Sequence, residues 1–391
     1  MAEQATVPDS ATLAARAQEA TGLSDFGDPW IFENLEALIP ALDGEARLTP
    51  AGAAGAAAMI ERALVNRLRH VDLVKRHPEI LDETVEVAAV VVGLPRTGST
   101  MLHRMLAAAP GMTGMKWFET QNYAPFPGEA RGESGRRREW AEGLMSAMLQ
   151  AIPELMSIHP MSIDQPDEEL IAMGLLFSST MIEGTYYVPS YARWLVEHSR
   201  TRCYPDLKQI LQSMQWQDPS RRGAKWVLKT PGHLMAIDAV AETFPDALIV
   251  MTHRDPLSTV PSYASMMQTL YRMSAEADPV AIGAFWEKRL AELLGMFMRA
   301  REALGDDRFC DVRYTDLLRE PIEQGRRVLA RAGVEVTPAV IEGMAEWIEA
   351  NRREDRAPHR YTLEDFALDR DEIERDFAAY RARFLAEQVA A

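Results

Sequence analysis

One stretch near residue 90 constrains the fold more than any other part of this 391-residue chain. Residues 85–92 read VEVAAVVV, a largely β-branched run that is too short for a helix. The loop GLPRTGST follows at 93–100, and a helical pattern then runs from 101 to 109. A strand that is apolar on both faces is typical of the centre of a parallel sheet, where helices cover both sides. We therefore expect a strand, a glycine-containing loop and a helix in direct succession.

Three further segments have the composition of short buried strands: 226–229, 247–252 and 309–313. The first two are each followed by a loop and then by a helical pattern. Strands that alternate with helices predict an α/β fold with three layers (α/β/α) and a central parallel sheet. In such folds ligands bind beyond the carboxyl ends of the strands. Residues at those ends are therefore the first candidates for a functional site.

Composition excludes several classes of protein. A formal net charge of -16 argues against general binding to nucleic acid or anionic lipid, although it permits a local basic pocket. Two cysteines, Cys203 and Cys310, cannot form a disulfide framework and suit a reducing compartment. The N-terminus lacks the apolar run of a secretory signal. The longest apolar stretch, 87–94, is far shorter than the ~20 residues of a membrane helix. These features predict a cytoplasmic protein without an integral membrane segment.

The chain divides into a helical N-terminal segment, 1–84, and a larger domain, 85–391. Apolar spacing within 51–75 indicates an amphipathic helix, which we expect to cover one face of the domain that follows. Within the larger domain, the methionine-rich stretch 144–181 has no strand pattern and predicts helices and loops. It lies inside a helical insertion that extends over about 120–220.

The loop Gly93-x-x-x-x-Gly98-Ser99-Thr100 has the layout of a phosphate-binding loop. Its glycines permit tight backbone geometry, successive N–H groups converge, and the following helix N-terminus favours an anion. The form that binds nucleoside triphosphates has a lysine before the Ser/Thr, where it contacts the β- and γ-phosphates. Here that position is Ser99, and the nearby cation is Arg96 inside the loop. We therefore expect a ligand with a 5′-phosphate and no triphosphate tail.

At this point the sequence resembles the sulfotransferases that use 3′-phosphoadenosine 5′-phosphosulfate (PAPS), especially the bacterial branch and the tyrosylprotein-type enzymes. The resemblance extends from about residue 85 to the C-terminal region, and the segment PRTGST at 95–100 matches the family's loop position by position. It implies the P-loop-like sulfotransferase fold. It also implies that the 5′-phosphosulfate is bound by Arg96, Thr97, Gly98, Ser99 and Thr100.

A second element of the family is a strand followed by an arginine and, eight residues later, a serine that together bind the 3′-phosphate. Arg254 and Ser262 match it. An arginine at a strand end can form a forked hydrogen bond to phosphate, and the serine can donate its hydroxyl. Tyr314 resembles the residue that contacts adenine. His359 and Arg360 resemble the loop that closes over the 3′-phosphate.

Sulfuryl transfer is an in-line displacement that depends on positioning and charge stabilisation. It requires a base for the proton of the acceptor and a cation for the leaving phosphate. Glu119 resembles the family's catalytic glutamate, and Lys229 resembles its active-site lysine, with Arg96 as a further cation. His159 is the second-ranked base, because the cytosolic steroid and phenol enzymes use a histidine.

Two other groups near these positions have alternative roles. The carboxylates of the run DQPDEE at 164–169 precede a predicted helix, so we expect them to cap it, with contact to the acceptor as the less favoured role for Glu168 or Glu169. His253, beside Arg254, is expected to be an orienting residue. No set of His, Cys and Asp residues has metal-ligand spacing. The expected co-substrate is therefore PAPS, which leaves as 3′,5′-ADP, with no metal ion.

These features predict a sulfotransferase that acts on a hydroxyl group of a small molecule. Flexible methionines in 144–194 suit an adaptable pocket for an apolar or aromatic acceptor, although a helical methionine stripe is more often plain core. Two alternatives stay open: a small-molecule kinase with a related loop, and a non-catalytic relative that binds nucleotide. The acceptor and the oligomeric state do not follow from the sequence.

Overall fold

The computed structural model describes residues 6–158, 160–351 and 361–386. Within these ranges, five strands form one sheet in which every neighbouring pair is parallel. The strands are β1 (Val87–Gly93), β2 (Met112–Thr113), β3 (Lys225–Lys229), β4 (Leu248–His253) and β5 (Phe309–Arg313). The order across the sheet is β2-β3-β1-β4-β5. The α/β prediction is confirmed, and so are the four predicted strands. β2, which has two residues, was too short to show a pattern.

The central strand β1 contributes to two hydrophobic cores. Its Val90 pairs with Leu228 of β3 on one side and with Ile249 of β4 on the other. Successive side chains of a strand point to opposite faces of the sheet. Val90 and Val92 accordingly belong to one core, and Ala89 and Val91 belong to the other. The apolar character of 87–92 therefore reflects helical layers on both sides.

Three helices precede the sheet: α1 (Ser10–Thr21), α2 (Trp30–Glu45) and α3 (Pro50–Arg76), followed by a short 3-10 turn, Pro78–Asp82. They share a core with β1 and with later helices and do not form a separate core. Buried polar contacts tie them to the insertion, since Asn34 donates to the Phe177 carbonyl at 2.7 Å. His70 Nε2 lies 2.8 Å from Ser213 Oγ. The N-terminal segment thus covers one face of the sheet.

Helix α4 (Ser99–Ala107) follows the glycine-containing loop, and α5 (Trp117–Gln121) follows β2. The insertion before β3 then contains α6 (Gly135–Ala151), α7 (Leu155–Ile158), α8 (Leu170–Gly174), α9 (Thr180–Thr185), α10 (Pro189–Trp194), a π-helical turn (Leu195–Ser199), α11 (Tyr204–Gln217) and a 3-10 turn (Pro219–Arg221). These elements are helices and loops, as the methionine-rich pattern predicts.

Strand β3 is followed by a 3-10 turn (Pro231–Met235) and α12 (Ile237–Thr243). Strand β4 is followed by α13 (Pro256–Tyr271), α14 (Pro279–Leu304) and a 3-10 turn (Asp306–Arg308). The elements after β5 are α15 (Tyr314–Arg319), α16 (Pro321–Arg331), α17 (Pro338–Ala350), a 3-10 turn (Glu364–Phe366), α18 (Arg370–Asp376) and α19 (Ala378–Phe384). Helices α4, α16 and α17 pack on one face of the sheet, and α3, α11, α13 and α14 pack on the other. Among the described helices, none combines the length and the apolar character needed to cross a membrane.

Candidate active site

The glycine-containing loop is attached to the carboxyl ends of β1 and β4. Gly93 has φ 143° and lies so close to β4 that a Cβ there would be 2.4 Å from Thr252 Oγ1. The hydroxyl oxygens of Thr97 and Thr252 are 2.6 Å apart, and Thr97 donates to the Leu94 carbonyl at 2.6 Å. Only glycine tolerates this approach of the two backbones. The loop is therefore anchored by buried groups before the helix begins.

Helix α4 begins without a side-chain cap. Gly98 precedes it with φ 85°, and a Cβ at that residue would lie 3.1 Å from the Tyr314 ring. Ser99 and Thr100 form the first turn. The amides of a first helical turn lack intrahelical partners and favour an anion. The start of α4 thus has the backbone geometry of a phosphate site.

Residues predicted for the two ends of the nucleotide are brought together beside this loop. Arg96 has φ 69°, and its Nε donates to Ser262 Oγ at 3.2 Å. Arg254 donates to the Arg96 carbonyl at 2.8 Å, and its guanidinium carbon lies 4.3 Å from the centre of the Tyr314 ring. Ser262 is buried in the first half of α13. Arg96, Arg254, Ser262 and Tyr314 therefore form one cluster.

Lys229 lies on the other side of the loop, at the carboxyl end of β3. Its side chain is only 1% exposed. Its ammonium donates to Thr100 Oγ1 at 3.0 Å and forms an ion pair with Glu168. A cation, a carboxylate and the first turn of α4 consequently meet at the carboxyl end of the sheet.

Three consecutive acidic residues before α8 each have their own cationic or histidine partner. Asp167 pairs with Arg104 at 2.8 Å, and Glu168 pairs with Lys229. Glu169 accepts hydrogen bonds from the Lys229 backbone N–H at 2.9 Å and from His233 Nε2 at 2.5 Å.

The expectation that Glu168 and Glu169 cap the helix is wrong. Glu169 occupies the N-cap position of α8 but makes no side-chain capping bond there. Although burial raises the pKa of Glu169, its hydrogen bond and charge interaction with His233 bring that pKa below its ordinary value of 4.5. The Glu169 carboxylate is therefore ionised inside the protein.

Glu119, predicted as the base, has different partners. Both of its oxygens accept from Arg221 NH2, at 2.7 and 2.9 Å, and one also accepts the Lys116 backbone N–H at 2.8 Å. Arg221 stacks on Trp226, near the amino end of β3. Lys229 follows three residues later, about 10 Å along a strand. The structure thus joins Glu119 to Arg221 and joins Glu168, not Glu119, to Lys229.

Other predicted residues also have defined positions. His253 is buried, with Nε2 2.7 Å from Asp311 and Nδ1 3.0 Å from the Tyr380 hydroxyl, so it connects β4 and β5 to α19. Burial lowers the pKa of His253, while Asp311 opposes that shift. Of the other predicted site residues, three lie outside the described ranges: His159, His359 and Arg360.

The methionine-rich stretch is partly plain core. Met173 and Phe177 are fully buried in the large core that contains Val90 and Val92. Met145 and Met148 are partly buried against a smaller cluster around Phe118. Met173 and Phe177 therefore stabilise the fold, and the stretch as a whole cannot be equated with an acceptor pocket.

A family model described as the sulfotransferase family matches residues 89–338, more than half of the chain. The chain belongs to the sulfotransferase family. The matched range contains the loop, Glu168, Lys229, Arg254 and Tyr314. The predicted family is confirmed.

Similar proteins agree with this assignment. The chain is 27% identical over 258 residues to the omega-hydroxy-beta-dihydromenaquinone-9 sulfotransferase Stf3 of Mycobacterium bovis, and the same figures apply to Stf3 of Mycobacterium tuberculosis. The match covers 62% of this chain and 62% of the length of each of these curated relatives.

Two solved structures share the fold almost end to end. Sulfotransferase STF1 from Mycobacterium tuberculosis superposes with a TM-score of 0.82 and 28% identity, over 95% of this chain and 99% of that one. Sulfotransferase STF9 from Mycobacterium avium has a TM-score of 0.86 and 24% identity, over 97% of each chain. At that identity STF9 supports the fold alone. Both alignments cover so much of the chain that the N-terminal helices belong to the shared architecture.

Sequence reasoning did not find the contacts between 167–169 and the end of β3. The available signals were the run Asp167-Glu-Glu169 and the segment LKTPGH at 228–233, which places a histidine four residues after Lys229. Neither signal specifies a partner, because the two segments are about 60 residues apart in the chain and meet only when the insertion folds.

Proposed function

We propose that this member of the sulfotransferase family moves a sulfuryl group from PAPS to a hydroxyl group of a small apolar acceptor. One observation carries the proposal: Lys229, ion-paired to Glu168, contacts Thr100 in the first turn of α4 at 3.0 Å. A helix start, a cation and a carboxylate at one point are the groups that sulfuryl transfer requires.

The residues around the loop fit the two anionic ends of PAPS. The first-turn amides of α4, with Thr100 and Lys229, suit the 5′-phosphosulfate. Arg254 and Ser262, both linked to Arg96, suit the 3′-phosphate, because guanidinium and hydroxyl groups donate well to phosphate oxygens. Tyr314, stacked under Arg254, lies where an adenine could pack. PAPS itself supplies the activated sulfuryl group and a phosphate leaving group.

In this proposal Glu168 replaces Glu119 as the general base. Its carboxylate takes the proton from the acceptor hydroxyl as the acceptor oxygen bonds to sulfur and the bond from sulfur to the 5′-phosphate oxygen breaks. Lys229 and the start of α4 stabilise the charge that develops on the departing oxygen. The proton on Glu168 passes to solvent as the sulfate ester leaves. Glu119 is the weaker candidate, because its carboxylate is bonded to Arg221 and the carboxylate paired with Lys229 is that of Glu168.

The apolar acceptor is inferred from one relative and from the insertion. The Mycobacterium relative is named for an omega-hydroxy-menaquinone derivative, which combines a hydroxyl group with an apolar body. Partly buried methionines around the insertion, such as Met148 and Met181, provide adaptable apolar surface. We expect an alcohol or phenol attached to an apolar or aromatic body.

Two alternatives have weaker support. A kinase that binds ATP through this loop would need the lysine that Ser99 replaces. A non-catalytic nucleotide-binding relative would have no reason to retain Lys229 and Glu168 as a buried pair. Nucleotide preference and turnover distinguish these three functions.

Thermal unfolding with added nucleotide is the first test. With 3′,5′-ADP at about 100 times its Kd, binding should stabilise the native state by about 2.7 kcal/mol without Mg²⁺. Stabilisation by Mg-ATP alone would favour the kinase. The matched controls at the same nucleotide concentration are Arg254→Ala, which should reduce the stabilisation to about half or less, and Arg319→Ala at a 67% exposed side chain, which should leave it unchanged.

Turnover is the second test. Radiolabelled PAPS offered with a panel of hydroxyl compounds should label apolar alcohols or phenols. Binding of 3′,5′-ADP with no transfer to any acceptor and no hydrolysis of PAPS would favour the non-catalytic relative. Labelling of polysaccharide only would contradict the proposed acceptor class.

A further inference from the structure

Behind the Glu168–Lys229 pair lies a chain of buried polar groups that the proposed reaction does not use directly. Glu169 is 1% exposed and His233 is completely buried. His233 Nε2 is 2.5 Å from Glu169 Oε1, and its Nδ1 is 2.8 Å from the Tyr204 hydroxyl. Burial raises the pKa of Tyr204 well above 10, so its hydroxyl stays protonated. Glu169 is the N-cap residue of α8, His233 lies in the turn after β3, and Tyr204 begins α11.

Glu169 links this chain to Lys229 and Glu168. Its second oxygen accepts the backbone N–H of Lys229 at 2.9 Å, which fixes the end of β3 relative to residues 167–169. Glu168 is the next residue in the chain and holds the Lys229 ammonium. The orientation of Glu169 therefore determines how the Glu168 carboxylate lies against the Lys229 ammonium.

The position of His233 is itself fixed by its turn. Thr230 caps the turn by accepting the Gly232 N–H at 3.1 Å. Gly232 lies so close to α9 that a Cβ there would be 2.9 Å from Thr180 Oγ1. On the other flank, Arg104 holds Asp167. Residues 167–169 are thus fixed at both ends by buried hydrogen-bond partners, Arg104 at one end and His233 at the other.

We propose that His233 is a positioning residue for sulfuryl transfer, acting through Glu169 to hold Glu168 against Lys229. This inference depends on the proposed function. Buried partners that orient reacting groups by hydrogen bonds are a general device in active sites, because they restrict a side chain to its productive geometry. The ring of His233 is hydrogen-bonded to Glu169 and to Tyr204, so its effect on Lys229 passes through Glu169.

The test is a pair of substitutions at one position. His233→Phe keeps a ring but removes the donor to Glu169, and should lower kcat about 10- to 100-fold while the affinity for 3′,5′-ADP changes little. His233→Gln places an amide N–H donor at a similar distance from Glu169, so its kcat should be close to that of the unmodified protein. A packing role alone would give the opposite order, because phenylalanine fills the space better.

A matched control separates catalysis from stability. His70 is an equally buried histidine, hydrogen-bonded to Ser213 at 2.8 Å and in edge-to-face contact with Tyr123. His70→Phe should lower the melting temperature and leave kcat unchanged. If His233→Phe does not fold, Tyr204→Phe removes a single hydroxyl and should lower kcat about 2- to 12-fold. Unchanged kcat in both His233→Phe and Tyr204→Phe would overturn the proposal.

A measurement without turnover distinguishes this inference from the function on which it depends. Reductive methylation followed by mass spectrometry reports how accessible the Lys229 amine is. Lys229 should react slowly in the unmodified protein and in His233→Gln, and several times faster in His233→Phe. If the protein binds 3′,5′-ADP but transfers no sulfuryl group, the proposed function fails. Equal methylation rates in all three proteins would instead refute positioning by His233.

Discussion

The molecule contains two buried glutamate–cation pairs, and they lie toward opposite ends of the same strand. Glu119 and Arg221 meet near the amino end of β3, and Glu168 and Lys229 meet at its carboxyl end. Both glutamates precede β3 in the chain, and both have side chains that are at most 11% exposed. Burial and charge therefore do not distinguish the two pairs.

Their partners distinguish them. Arg221 engages both oxygens of Glu119, and the Lys116 amide adds a further bond. Lys229 divides its ammonium between Glu168 and the hydroxyl of Thr100, at the start of an uncapped helix. Both oxygens of Glu119 are thus bonded to protein donors, whereas Glu168 and Lys229 adjoin the start of α4, where we propose that the 5′-phosphosulfate binds. The position of a glutamate after the loop in the sequence therefore does not by itself identify it as the general base.

The largest effect should come from the pair at the carboxyl end. Glu168→Gln removes the proposed base with almost no change in shape, and should lower kcat about 10²- to 10⁴-fold. Binding of 3′,5′-ADP should persist, because Arg254, Ser262 and the first turn of α4 are untouched. Steady-state kinetics and calorimetry measure the two quantities. A Glu168→Gln protein with normal kcat would return the role of base to Glu119 or His159.

Loss of the pair at the amino end of β3 should mainly lower the stability of the folded protein. Glu119→Gln removes the buried counter-charge of Arg221 and leaves only its ion pair with the half-exposed Asp218, which should lower the free energy of unfolding by about 3 kcal/mol. At a temperature where the protein is folded, kcat should stay within about twofold, because no transition-state contact is removed. Urea denaturation and kinetics on the same sample test both parts. Glu168→Gln is the matched control, and a large loss of kcat in Glu119→Gln would invert the comparison.

An intermediate effect is expected at the cluster for the 3′-phosphate. Arg254→Ala removes a charged donor, and should weaken 3′,5′-ADP binding about 10- to 150-fold. Arg254→Lys keeps the charge but not the forked geometry, and should recover only part of the affinity. Isothermal titration with 3′,5′-ADP and with 5′-AMP, which lacks the 3′-phosphate, tests the assignment. If Arg254→Ala weakens both nucleotides equally, Arg254 does not contact the 3′-phosphate.

The smallest effect concerns pH. His233 lowers the pKa of Glu169 below 4.5 although burial opposes it, so this carboxylate prefers to be ionised in the folded state. Its contribution to stability should be complete above the unfolded pKa and be lost as the pH falls through the lower folded pKa. The difference in unfolding free energy between the unmodified protein and Glu169→Gln should therefore shrink as the pH is lowered from 6 to about 3. A difference that grows with acidity would contradict the ionised state of Glu169.

The sequence alone predicted the sheet and the succession of strand, glycine-containing loop and helix, because these are local patterns. Residues 87–92 are apolar on both faces, and the loop has glycines where β4 approaches and where α4 begins. Lys229 and Arg254 lie at strand ends, as expected, because parallel strands bring their carboxyl ends to one edge. The strand β2 was not predicted, because a strand of two residues is too short to show an alternating pattern of apolar residues.

The partners of the acidic residues were decided only by tertiary structure. Glu119 lies 102 residues before Arg221, and Glu168 lies 61 residues before Lys229. Separations of this size along the chain do not indicate which residues are in contact. The folding of the insertion determines which carboxylate reaches the loop. Local sequence specifies strands, turns and loops through short-range sterics and periodicity. The pairing of buried charges depends on long-range packing, which must bring an opposite charge to each carboxylate removed from water.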